Sequence, residues 1–222
     1  MQTLEHHAFP KIPRLKRDAV ITEKIDGSNG AIGVLQFPFR HFENEDIPPT
    51  AVHCFGQSWN TEGDPQHEYL VYAQSRKRII TPTEDNHGFA RWVHDNANSV
   101  ARVLGPGLHY GEWWGQGIQR GYGLDHKRFS LFNVKRWDWL NEPAARLAQG
   151  VMGQLHVVPV VKQYTFSVRA VDEALDYLRL KGSQAAPGFM NAEGVVVYHA
   201  ASGNLYKALI EGADTPKSLM AA

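Results

Sequence analysis

Lys24 is the residue of this sequence with the most chemistry to offer. It lies in Thr22-Glu23-Lys24-Ile25-Asp26-Gly27-Ser28-Asn29-Gly30, a polar stretch joining two strand-like runs, so the lysine falls where the chain turns. Gly27 lets the backbone come close to a ligand there. A lysine attacks phosphorus only as the neutral amine, so its pKa must fall well below about 10.4, and a nearby cation achieves that by disfavouring the ammonium form. The segment reads equally as an exposed hairpin with a solvated lysine. Further on, Gly115, Gly117 and Gly121 are spaced G-x-G-x-x-x-G with no βαβ unit following, which excludes a dinucleotide fingerprint. Residues 194–198 read as a core strand.

Strand-like runs occur at 19–22, 30–37, 69–75, 108–112, 129–137, 157–164, 193–198 and 205–210. Three helices are expected. The first spans about 84–104, with Phe89, Trp92, Val93, Asn96, Val100 and Leu104 mostly on one face. The second is short, at 143–149. The third starts after Ser167 as N-cap, turns Val171, Leu175 and Leu178 inward, and stops at Gly182. Many strands and few helices, not strictly alternating, predict an α+β fold with mainly antiparallel sheets flanked by helices. The proline- and glycine-containing stretch 37–66 reads as a surface excursion.

With 222 residues, 43% of them hydrophobic, the chain can bury one sizeable core, and residues 1–222 read as a single domain. No apolar run approaches the roughly 18 residues that cross a bilayer, so no membrane partner is expected. Residues 1–13 hold no signal-peptide core, since Glu5, His6, His7 and Lys11 interrupt it. One cysteine, Cys54, excludes a disulfide framework and a cysteine-rich zinc site, and reads as a small buried hydrophobe. Together these point to the cytoplasm. The 23 basic and 23 acidic residues cancel, so phosphate binding would need local clusters. Candidates are Lys11, Arg14, Lys16 and Arg17; Arg76, Lys77 and Arg78; and His126, Lys127 and Arg128.

The order of these motifs resembles the covalent nucleotidyltransferases, which comprise DNA ligases, RNA ligases and capping guanylyltransferases. Lys24-Ile25-Asp26-Gly27 is similar to their K-x-D-G motif, and Ser75-Arg76 to their motif Ia. Residues 110–119, YGEWWGQGIQ, resemble the third motif, and residues 129–134 the aromatic-bearing motif after it. Glu193-Gly194-Val195-Val196-Val197 looks like the fourth motif and Leu205-Tyr206-Lys207-Ala208 like the fifth. Asn29, where DNA ligases and capping enzymes usually carry arginine, makes the chain most similar to the RNA ligases of the phage T4 RNA ligase 2 and RNA-editing kind. The resemblance implies a nucleotidyltransferase (ATP-grasp-like) fold and an ATP-dependent RNA ligase joining 5′-phosphate to 3′-hydroxyl ends.

By the same resemblance, Lys24 takes AMP from ATP, Glu23 reads the adenine amino group, and Phe132 stacks on the base. Glu112 contacts the ribose, Glu193 holds Mg²⁺ or Mn²⁺, and Lys207 neutralises the α-phosphate. Arg76 holds a phosphate or the acceptor end, and Asn29 orients metal-bound water or a hydroxyl. The implied partner is RNA, as a nicked duplex or single-stranded ends. Two readings remain beside it: a DNA ligase or other polynucleotide adenylyltransferase acting with a partner, and a non-sealing end-binding protein. Three departures stand out. Asn133 replaces the usual acid after the stacking aromatic, Leu205 replaces one lysine of a K-x-K pair, and 15 residues after Lys207 leave no room for an OB or helical C-terminal domain. An accessory protein is the expected substitute for that domain.

Overall fold

Runs of alternating apolar and small residues become strands, and the place where each run changes sheet determines where the functional groups meet. The computed structural model describes residues 5–43, 45–56, 62–63, 65–142 and 151–211, so the expected helix at 143–149 lies outside them. One sheet contains β1 (Asp18–Lys24), β9 (Val160–Thr165), β10 (Gly194–His199) and β11 (Asn204–Leu209), in the order β11-β10-β1-β9. The other contains β2 (Ser28–Pro38), β3 (Val52–Phe55), β4 (His67–Ser75), β5 (Ile79–Ile80), β6 (Gly107–Gly115), β7 (Lys127–Leu131) and β8 (Leu155–Val157). Its order is β3-β4-β2-β6-β7-β8, with β5 beside β4. All these pairings are antiparallel except β7 with β8. The chain has the expected α+β architecture.

Each sheet buries one face under helices. In the smaller sheet, Ala19, Ile21, Val195 and Val197 pack against Ala174, Leu175 and Leu178 of α4 (Val168–Lys181). That helix begins and ends where expected. The Ser167 hydroxyl accepts from Ala170 N–H at 3.1 Å, and Gly182, at φ 76°, stops it. In the larger sheet, Ile32, Val34, Val71, Trp113, Phe129 and Leu131 meet α1 (Phe89–Asp95) and α2 (Ala97–Leu104) through Phe89, Trp92, Val93, Val100 and Leu104. Among the described residues no helix is long and apolar enough to cross a membrane.

Local hydrogen bonding redraws four of the expected elements. The helix expected at 84–104 starts only at Phe89, because the Asp85 carboxylate accepts from Ala90 and Arg91 N–H and the chain passes through His87 at φ 54°. It then breaks at Asn96, whose side chain and backbone N–H both donate to Trp92 O. The strand expected at 129–137 ends at Leu131, because Asn133 caps α3 (Val134–Trp137) by accepting from Arg136 N–H. The strand expected at 157–164 splits at Pro159, which cannot donate to a ladder, and its halves join different sheets. Inside the 37–66 excursion, Val52–Phe55 forms β3 on the edge of β4, with Cys54 buried as read from the sequence and its thiol pushed up to about 11 by desolvation.

Candidate active site

The chain crosses from the smaller sheet to the larger at residues 25–27, so the Lys24-Ile25-Asp26-Gly27 turn is itself the junction. Gly27 has no alternative there. A Cβ would stand 2.6 Å from Trp113 O and 2.8 Å from the Trp114 Cβ. Ile25 anchors the turn in a cluster of its own with Trp114, Tyr122, Val158 and Ala186.

Lys24 ends β1 opposite Gly194 of β10, and this register sets Glu193 beside it. The Lys24 Nζ donates to Glu193 Oε2 at 2.5 Å across 169 residues of sequence. Lys24, Thr22, Val196 and Lys207 share one face, because Thr22 pairs with Val196 and Val196 with Lys207. Lys207 is exposed on that face. Two strands over and two residues back, its Cα stands on the order of 10 Å from that of Lys24.

On the larger sheet, Asn29 pairs with Glu112, and Glu112 with Ser130. Arg76 is exposed one residue beyond the Gly30–Ser75 pair, which carries the same row outward. Glu112 faces away from the helical core. Burial pushes its carboxyl up to about 7; Lys24 opposes the shift, Glu193 and Asp26 add to it, and the Gly27 N–H donated to the carboxylate lowers it. Phe132, just past β7, is 39% exposed and belongs to no core cluster, so its ring remains available for stacking.

Glu23 turns to the opposite face from Lys24 and is 1% exposed. Its Oε2 accepts from Gln184 N–H at 2.7 Å and Ala185 N–H at 2.9 Å. Desolvation raises this carboxyl, against the pull of the Ser183 hydroxyl and the two amides. Oε1 is buried with no hydrogen-bond partner of sound geometry. A buried orphan acceptor is costly, and a ligand amino group is the kind of donor that satisfies it.

The structure thus brings Lys24, Glu193, Glu112, Asn29 and Glu23 to one junction, with Arg76, Phe132 and Lys207 along its rim. Sequence reading missed the contacts that brace it. Arg120 donates from Nε to Asp26 Oδ2 at 3.1 Å and from Nη1 to Asn191 O and Oδ1 at 3.0 and 2.7 Å. The Tyr122 hydroxyl accepts from Asp26 N–H at 2.8 Å, and Asn86 Nδ2 donates to Ser28 Oγ. No local pattern marks these residues, whose partners lie 58 to 96 positions away. For a divalent ion, no group of three or more His, Cys, Asp or Glu converges among the described residues. The donor set instead suits a hard cation held by one or two carboxylates, with phosphate oxygens completing its shell.

Residues 17–209 match the family model for RNA ligase. Among curated proteins, none matches this chain. Solved structures similar to it include a lysine-to-alanine variant of Naegleria gruberi RNA ligase with ATP and manganese. It is 13% identical with a TM-score of 0.48, and the match covers 89% of this chain and 50% of that one. A lysine-to-methionine variant of the same enzyme with AMP and manganese is 14% identical, also with a TM-score of 0.48, the match covering 88% and 50%. The chain spans about half the length of those proteins.

Proposed function

This chain belongs to the RNA ligase family, and from that premise we propose that it is an ATP-dependent RNA ligase working through an AMP bonded to Lys24. The observation that carries the reading is the Lys24–Glu193 contact at the sheet junction, facing a half-buried Glu112. Lys24 releases one proton to solvent, which a divalent cation held by Glu193 would favour by disfavouring the ammonium form, and attacks as the free amine. Its nitrogen bonds to the α-phosphorus of ATP as the bond to the pyrophosphate oxygen breaks, pyrophosphate leaves with the electron pair, and the second amine proton goes to solvent. Lys207, on the same face, neutralises charge on the α-phosphate in the transition state. AMP then passes to a 5′-phosphate end, and a 3′-hydroxyl attacks that end and releases AMP.

Specificity follows from the same residues. Glu23 Oε1 accepts from the adenine amino group, which disfavours guanine, and Phe132 stacks on the base. Glu112 binds the ribose. Asn29 and Arg76, in the row that runs outward from Glu112, meet the acceptor end. Glu193, beside Glu112, would hold Mg²⁺ or Mn²⁺, an ion that lowers the repulsion between phosphate oxygens and the amine. The protein acts on RNA ends, alone or with an accessory protein.

Incubation with ATP and Mg²⁺ is expected to add one AMP mass to the protein, and Lys24→Ala to abolish the addition. A folded wild type that never gains AMP would overturn the reading. Sealing of nicked RNA above nicked DNA is the expected substrate order.

A further inference from the structure

The loop joining β6 to β7 spends strain to place two side chains. Gln119 and Tyr122 take left-handed backbone at φ 45° and 53°, a conformation strained for a non-glycine residue. Successive turns hold it there: Ile118 N–H donates to Gly115 O, Gly121 N–H to Ile118 O and Leu124 N–H to Gly121 O. The result is that Arg120 and Tyr122 both land on the junction. Tyr122 is 2% exposed, wedged against Trp114 and Phe189, and its hydroxyl takes the Asp26 N–H.

Arg120 bonds the two segments that run on from the paired ends of β1 and β10, beyond the last register pair Lys24–Gly194. Asp26 lies two residues after Lys24, and Asn191 two residues before Glu193. A single guanidinium, with its donors in a rigid fork, therefore ties the turn carrying the amine to the loop carrying its carboxylate. The Arg120 and Asp26 side chains are 22% and 28% exposed, so the pair is only partly screened by solvent.

We propose that Arg120 is a positioning residue, which holds Asp26 and Asn191 so that Lys24 and Glu193 stay in the geometry the adenylylation step needs. The inference rests on the adenylylation reading above, but its failure is separable from the failure of that reading.

The test measures the initial rate of AMP transfer from radiolabelled ATP to the full chain, across ATP concentrations, for wild type, Arg120→Ala, Arg120→Lys and Asn191→Ala. Arg120→Ala is expected to lower the maximal rate by about 100-fold, the scale of a misplacement near 1 Å, with ATP half-saturation moving less than about threefold. That split marks lost transition-state geometry and not lost nucleotide contact. Arg120→Lys keeps the charge without the fork and is expected to fall between the two. Asn191→Ala keeps its carbonyl contact and is expected to lose only a few-fold. Added methylguanidinium is expected to restore part of the Arg120→Ala rate.

A maximal rate for Arg120→Ala within twofold of wild type would overturn the proposal. So would a rise in half-saturation matching the fall in rate. Should Arg120→Ala fail to fold, Asn191→Ala and Asp26→Asn carry the same rate test, and unchanged rates in both overturn it. Should wild type itself take up no AMP, the adenylylation reading fails and amide hydrogen exchange decides the clamp. Faster exchange at residues 24–28 and 184–193 in Arg120→Ala supports it, and unchanged exchange overturns it.

Discussion

Glu112 is the residue at which pH becomes a measurable lever. Its carboxyl is raised from 4.5 to about 7, chiefly by burial. A folded-state pKa above the unfolded value means the folded chain holds the proton more tightly. The stability linked to that proton is therefore full below about pH 4.5 and lost as pH rises through about 7. The loss is expected to be about 1–3 kcal/mol, part of the full shift being screened by solvent. Glu112→Gln removes this slope: urea unfolding at pH 5 and pH 8 is expected to show the variant more stable than wild type at the higher pH. The same substitution is expected to cut AMP transfer, because an amide loses the charge that faces Lys24. A wild-type slope equal to the variant's would show that Glu112 ionises normally.

At the scale of elements, caps and breaks determine where functional side chains emerge. Asn133 stands where the family usually has an acid, and its side chain caps α3 by accepting from Arg136 N–H at 3.1 Å. An aspartate makes the same bond. Asn133→Asp is thus expected to leave both stability and AMP transfer near wild type, whereas Asn133→Ala is expected to cost about 1 kcal/mol in denaturant unfolding. A gain in AMP transfer from Asn133→Asp would mean the site lacks a carboxylate here. The Pro159 break matters in a similar way. It ends β8 and lets β9 pair with β1, and the Pro159 carbonyl then accepts from Glu23 N–H at 2.9 Å.

The whole molecule is two helix-covered sheets joined by a small cluster beneath the site. Leu178 packs in the core of the smaller sheet, while Ile25 packs in the joining cluster with Trp114, Tyr122 and Val158. Truncating either to alanine is expected to cost about 2–5 kcal/mol, but with different functional effects. Leu178→Ala leaves the junction intact, so its AMP transfer below the melting transition is expected to stay within a few-fold of wild type. Ile25→Ala loosens the turn between Lys24 and Asp26, and is expected to lose rate well beyond what its stability explains. Equal rate losses at equal stability would show that the cluster does not govern the site.

Much of this protein is readable from residue order alone. Lys24 stands out by type and place, and Glu112, Glu193 and Lys207 by resemblance to the family's motifs, while the 2-residue and 3.6-residue periodicities place most strands and α4, because face alternation and capping are local properties. What only the folded chain decided is which distant groups meet. Lys24 reaches Glu193 across 169 positions because β1 and β10 pair in one register and no other. Arg120 finds Asp26 and Asn191, and Asn96 breaks a helix that periodicity predicts as continuous, through hydrogen bonds chosen by three-dimensional proximity. Such contacts are set by sheet register and loop path, and one-dimensional pattern records neither.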